Sequence, residues 1–109
     1  LVGSEMCIRD RWRRVSLEPP EARERFRRIV QYCRWARASL RLNYAVPFEV
    51  REELARLWEE YISQLPPEVR EREAIAMLGY PFVVPLKDVP RLIRQDPLFA
   101  RRVIEVYGE

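Results

Sequence analysis

The sequence lacks histidine and has only three glycines and two cysteines among its 109 residues. Without histidine there is no Ser-His-Asp or Cys-His catalytic site, no imidazole metal ligand and no histidine pH switch. Three glycines are too few for a glycine-rich phosphate-binding loop. Two cysteines cannot build a four-cysteine zinc site or a disulfide framework. We therefore expect no catalytic residues, no cofactor and no metal site, and an enzyme is the less favoured class.

What the chain does contain is charge and apolar surface in one short domain. Charged residues make up 34% of it and apolar residues 48%, with a formal net charge of +3. The basic residues are almost all arginine, since Lys87 is the only lysine. No apolar run approaches the length of a membrane span, so we expect a globular domain with no membrane partner.

The first ten residues resemble a translated sequencing-library adapter. Read as codons, CTC GTG GGC TCG GAG ATG TGT ATA AGA GAC encodes Leu1 to Asp10 and follows a transposase adapter without a break. Such segments are left out of fold reasoning, so Cys7 is not a partner for Cys33. We expect residues 11–109 to form a single helical domain, a fragment of a longer protein from metagenomic sequence.

Apolar residues spaced by three and four, with proline at helix starts, predict an all-α bundle of five helices. The second helix has the clearest apolar stripe and is expected to be the central packing element. Between the third and fourth helices, residues 80–86 are expected to be extended and could pair with residues 42–46, because proline limits them to an edge strand or linker. The predicted helices are 19–42, 48–64, 67–78, 89–95 and 97–107.

The first helix carries the strongest functional signal, a stripe of arginines. At 100° per residue they fall within an arc of about 80°, and Glu21 and Glu24 point elsewhere. Guanidinium groups in such a row could follow a phosphate backbone or bind an acidic partner. Alternatively, the stripe is a solvated face, or the glutamate-rich face of the second helix neutralises it within the fold. The members of the stripe are Arg23, Arg27, Arg34, Arg37 and Arg41.

Two tryptophans are candidate interface residues. Trp12 lies among arginines and could stack on a nucleic-acid base, or it could be the stub of a truncated element. Trp35 lies nearly opposite Phe26 on the first helix. Either this helix runs through the middle of the bundle, or Trp35 marks a contact with a partner or with the missing upstream segment. Cys33, at the centre of the apolar stripe, is expected to be a small buried apolar residue.

Residues 12–109 resemble no protein family that we recognise. The arginine stripe leads us to expect a cytoplasmic helical interaction module that presents an arginine-rich face to an acidic surface, on a protein partner or on the rest of a larger protein. The alternative is a DNA- or RNA-binding module that uses the same stripe. The third possibility is a fragment of an enzyme whose catalytic residues lie upstream. The sequence does not fix the oligomeric state.

Overall fold

The structure, a computed structural model, describes residues 19–40, 46–77 and 80–109. This part of the chain contains five α-helices, two short strands and one 3-10 turn. The 3-10 turn spans Leu86–Asp88 and leads directly into the fourth helix. The elements are α1 (Pro20–Ser39), α2 (Phe48–Ser63), α3 (Pro67–Arg72), β1 (Ala74–Ile75), β2 (Val84–Pro85), α4 (Val89–Gln95) and α5 (Pro97–Tyr107).

The core is centred on α2, which packs between α1 on one side and α4 on the other, while α5 closes the bundle against α1 and α4. Trp58 of α2 is fully buried. Its indole meets the rings of Phe26 and Tyr107 edge-on, with ring centroids 6.2 and 5.5 Å apart. Edge-to-face contacts of this kind add to the stabilisation from apolar burial. The predicted all-α bundle with α2 at its centre is therefore confirmed.

Proline and aspartate set the helix starts, as the sequence predicts. Proline occupies the first turn of α1, α3, α4 and α5, where its missing N–H costs nothing. The Asp96 carboxylate accepts hydrogen bonds from the backbone N–H groups of Leu98 and Phe99 and so caps α5. Asp88 precedes α4 but its side chain makes no capping hydrogen bond. The bounds of α4 and α5 match the predicted 89–95 and 97–107.

The third helix needs a correction, because it ends at Arg72 rather than at residue 78. Glu73 is already extended, and the two residues after it form β1. In the antiparallel register, Ala74 is opposite Pro85 and Ile75 is opposite Val84. The strand buries Ile75, so tertiary contact overrides the local preference of this segment for helix.

The predicted extended segment 80–86 is also revised. Only Val84–Pro85 is strand, and Leu86 begins the 3-10 turn. The partner of the strand is β1 rather than residues 42–46. The predicted helix 19–42 is also too long, because α1 ends at Ser39 and Leu40 is extended. Residues 41–45 lie outside the described part of the chain, as do the candidate residues Arg41 and Trp12. None of the described helices is long and apolar enough to cross a membrane.

Candidate functional site

The arginine face of α1 is the candidate site. We use this name for Arg23, Arg27, Arg34 and Arg37, the four stripe residues that the structure describes, all of which are exposed. The buried side of the same helix is apolar and includes Phe26, Ile29 and Cys33. The helix carries six arginines and two glutamates, a net charge of +4. The fold therefore presents the predicted stripe outward.

The four guanidinium groups differ in what they contact. Arg27 donates to the Glu24 carboxylate at 2.9 Å, an i,i+3 pair. This corrects the prediction that Glu24 points away from the stripe. Arg34 donates from Nε to the main-chain oxygen of Glu109 at 3.4 Å. The guanidinium groups of Arg23 and Arg37 make no hydrogen bond or ion pair with any other described residue.

The glutamates of α2 do not neutralise this face. Glu53 and Glu60 both accept hydrogen bonds from Arg56 on the same helix. Glu52 and Glu59 bind Arg94 of α4. Glu49, in the first turn of α2, is exposed and forms no ion pair with a described residue. The sequence left two explanations in which the stripe binds no ligand: a solvated face, or neutralisation by the glutamates of α2. Neutralisation by ion pairs with those glutamates is therefore excluded for the described residues.

Arg94 of α4 bridges two acids of α2. Its Nε lies 2.9 Å from Oε2 of Glu52, and its Nη1 lies 2.7 Å from Oε2 of Glu59. A second bond, from Nη2 to Oε1 of Glu59 at 3.1 Å, makes the latter contact bidentate. Bidentate, charge-assisted pairs are the stronger kind. The hydrogen bond from Arg94 lowers the pKa of Glu59, and the same bond raises the pKa of Arg94.

The sequence did not single out Arg94. The glutamates at 52 and 59 are seven residues apart and therefore lie on one face of α2. That spacing indicated an outer face but gave no partner. The partner is 35 residues further along the chain from Glu59, so only the packing of α4 against α2 reveals it.

The pKa of Tyr32 indicates which side of α1 lies near Glu53 of α2. Burial raises the pKa of Tyr32, and the nearby charge of Glu53 adds to the effect. On an α-helix, Tyr32 is about 140–180° away from each member of the arginine face. Glu53 of α2 therefore lies nearer to the edge of α1 opposite the arginines.

Trp35 is half-exposed, at 50%. Its ring lies against that of Tyr32, with centroids 5.3 Å apart. The suggestion that α1 runs through the middle of the bundle with Trp35 buried is thus corrected: α1 has one buried side, and Trp35 lies on the outer surface. It is about 120° around the helix from the centre of the arginine face.

The other candidate chemistry is that of the acids and of Cys33 within residues 19–40, 46–77 and 80–109. Within these ranges no group of three or more His, Cys, Asp or Glu side chains could hold a metal ion. Cys33 is fully buried, as expected from its place in the apolar stripe. No protein-family profile, no curated protein and no solved structure matches the chain.

Proposed function

We propose that this protein is a cytoplasmic helical interaction module whose arginine face binds an acidic protein surface. That surface belongs to a separate partner or to the rest of a larger protein. The observation that carries the proposal is the uncompensated charge on α1: the guanidinium groups of Arg23 and Arg37 form no ion pair with a described residue. Four of the five acids of α2 are bound to Arg56 and Arg94 instead.

The spacing of the face suits a row of carboxylates. Arg23 and Arg37 are 14 residues apart, which corresponds to about 21 Å along the helix axis. Arg34 lies one turn before Arg37, and Arg23 lies one turn before Arg27. Each guanidinium group can bind a carboxylate through two parallel N–H groups. The face therefore offers two pairs of cationic groups to an acidic helix or loop.

Nucleic acid is the rival ligand for the same face. Modules that bind single strands combine a basic track with aromatic side chains on which the bases stack. The nearest described aromatic on the outer surface of α1, Trp35, lies about 120° from the centre of the face, too far around the helix to serve the same strand. Arginine and tryptophan are enriched at protein interfaces, so Trp35 could instead contact a broad protein surface at its edge.

The test compares two double variants of equal charge. Arg23→Glu with Arg37→Glu reverses the face, and Arg28→Glu with Arg72→Glu reverses two exposed arginines elsewhere, Arg28 being about 140° from the centre of the face. Both lower the formal net charge from +3 to −1, because each substitution removes two charges. The probes are a labelled glutamate-rich peptide, a single-stranded oligonucleotide and a duplex, followed by fluorescence anisotropy.

We expect the face variant to weaken peptide binding at least tenfold, about 1.4 kcal/mol. The control variant should change it less than about threefold, about 0.7 kcal/mol. Equal losses in the two variants would mean that net charge alone drives binding, and would contradict the proposal. Tighter binding of either oligonucleotide than of the peptide would assign the face to nucleic acid instead, with a log–log salt slope for four phosphate contacts of about −3.6 on the duplex and about −2.8 on the single strand.

A further inference from the structure

A groove on the side of the bundle away from the arginine face has the dimensions of a small-molecule site. It lies between the C-terminal turn of α2, the α3 helix and the segment formed by the 3-10 turn and α4, and its volume is about 650 Å³. No residue of α1 lines it. Pockets that bind small molecules have volumes of about 300–1,000 Å³.

The groove has an apolar side that could hold an uncharged ligand body. Ile62 of α2, Pro67 of α3 and Pro90 of α4 contribute to its lining. Ile62 and Pro90 are buried, whereas Pro67 is exposed at the rim. The proline rings stiffen the backbone on two of the three walls, because proline fixes φ. The apolar surface is therefore preformed.

The charged lining is unbalanced in favour of cations. Four cationic and two acidic side chains line the groove, a net charge of +2. One cation and one acid, Arg94 and Glu59, are already joined by a bidentate ion pair. The cations that remain come from three different elements: Arg70 from α3, Lys87 from the 3-10 turn and Arg91 from α4. They face a single remaining acid, Glu71.

These three cations have few protein partners. The Nε of Arg70 is buried and has no hydrogen-bond partner among the described residues. A buried donor without a partner is destabilising, and a bound acceptor would satisfy it. Arg91 contacts only Gln95, at 3.3 Å, and Asp88, at 3.7 Å, within residues 19–40, 46–77 and 80–109. Lys87 is exposed and contacts no described acid.

We propose that this groove binds a small organic anion with an apolar body and one anionic group. The apolar body would lie against Ile62 and Pro90. The anionic group, a carboxylate, sulfonate or phosphate ester, would receive hydrogen bonds from Arg70 and Arg91, with Lys87 adding its charge. The site is separate from the arginine face and does not depend on the function proposed for it.

The experiment uses a probe of this chemical class, 8-anilinonaphthalene-1-sulfonate, and its uncharged relative N-phenyl-1-naphthylamine. Fluorescence titration gives the affinity, and amide chemical shifts map the site. The test variants are Arg70→Gln with Arg91→Gln, and Lys87→Gln alone. The matched control is Arg28→Gln with Arg72→Gln, which removes the same charge outside the groove. Far-UV circular dichroism verifies that each variant is folded.

We expect one site, with shifts concentrated in residues 59–71 and 86–95. Binding of the sulfonate should weaken at least tenfold in the Arg70 and Arg91 variant and about threefold in Lys87→Gln, about 1.4 and 0.7 kcal/mol. It should stay within about twofold of wild type in the control. The uncharged probe should bind at least tenfold more weakly than the sulfonate. Equal affinity for the two probes, an equal loss in the control, or shifts centred on α1 would overturn the proposal.

Discussion

Replacement of Asp96 should be unusually costly for a half-buried surface residue, because one carboxylate makes two separate connections. Oδ1 accepts hydrogen bonds from the backbone N–H groups of Leu98 at 3.0 Å and Phe99 at 3.4 Å. Oδ2 accepts the hydroxyl hydrogen of Tyr80 at 3.0 Å. The first connection caps α5. The second holds the segment before β2 against that helix, where the Tyr80 ring also packs on Phe99 with centroids 5.0 Å apart.

The expected loss in the free energy of unfolding is the sum of the costs of breaking the two connections. Loss of an N-cap that serves two N–H groups costs about 1–1.5 kcal/mol, and loss of one hydrogen bond costs about 0.5–1.5 kcal/mol. Asp96→Ala should therefore destabilise the fold by about 1.5–3 kcal/mol. For a chain of this size, that corresponds to a fall in Tm of roughly 8–15 °C. Asp96→Asn keeps a capping oxygen and should cost under about 1 kcal/mol, since asparagine caps nearly as well as aspartate.

A double-mutant cycle with Tyr80→Phe isolates the second connection. Urea unfolding followed by circular dichroism gives the four free energies of unfolding. Tyr80→Phe should cost about 1 kcal/mol in the wild type and much less in Asp96→Ala, a coupling of about 0.5–1.5 kcal/mol. The reasoning is refuted if Asp96→Ala costs under about 0.5 kcal/mol, or if the two substitutions are additive.

Three further predictions concern the core, a helix contact and an ion pair. Trp58→Ala should lower the free energy of unfolding, measured in urea, by about 3–5 kcal/mol. Trp58→Phe should lower it clearly less, because the indole N–H has no hydrogen-bond partner among the described residues. Equal losses in the two variants would contradict the central place of this ring. A Cβ on Gly108 would lie 2.8 Å from the main-chain oxygen of Cys33. Gly108→Ala should therefore lower the free energy of unfolding by about 1–3 kcal/mol. An unchanged Tm would disprove this close packing. Glu59 has a lowered pKa because Arg94 binds it. The stabilisation from this ion pair is present above the unfolded pKa of about 4.3 and is lost as the pH falls through the folded pKa. Arg94→Gln should therefore weaken the fall in the free energy of unfolding at acid pH, and an unchanged pH dependence would rule out the linkage.

Local signals account for the parts of the fold that the sequence predicts well. Helix α5 starts where it does because Asp96 caps it and Pro97 fits its first turn. Both signals lie within two residues of the boundary, so they can be read without tertiary information. The apolar stripe of α2 likewise shows its buried side directly, and Trp58 lies on it.

Non-local contacts account for the parts of the fold that the sequence does not predict. The segment after Arg72 has good helix formers, yet it pairs with Val84–Pro85, ten residues further along the chain. A short strand of this kind is stabilised by its partner and by burial of Ile75, neither of which a local pattern contains. The groove between α2, α3 and α4 was missed for the same reason, since its lining comes from three elements.

The arginine face could be predicted from the sequence in part. Helical periodicity was sufficient to place Arg23, Arg27, Arg34 and Arg37 on one side of α1. It could not show whether α2 would turn its glutamates toward them. That depends on the packing of two helices, and the structure shows the glutamates bound to Arg56 and Arg94.

The most direct measurement is an NMR titration of the arginine Nε–Hε signals with the glutamate-rich peptide. Signals of Arg23, Arg34 and Arg37 should move together and saturate, because Arg23 and Arg37 exchange water for carboxylate and Arg34 exchanges its long contact with the main-chain oxygen of Glu109. Those of Arg56 and Arg94 should stay in place, since each already holds a glutamate. Stationary α1 signals, or equal movement of all five, would show that α1 has no special affinity for acidic protein surfaces.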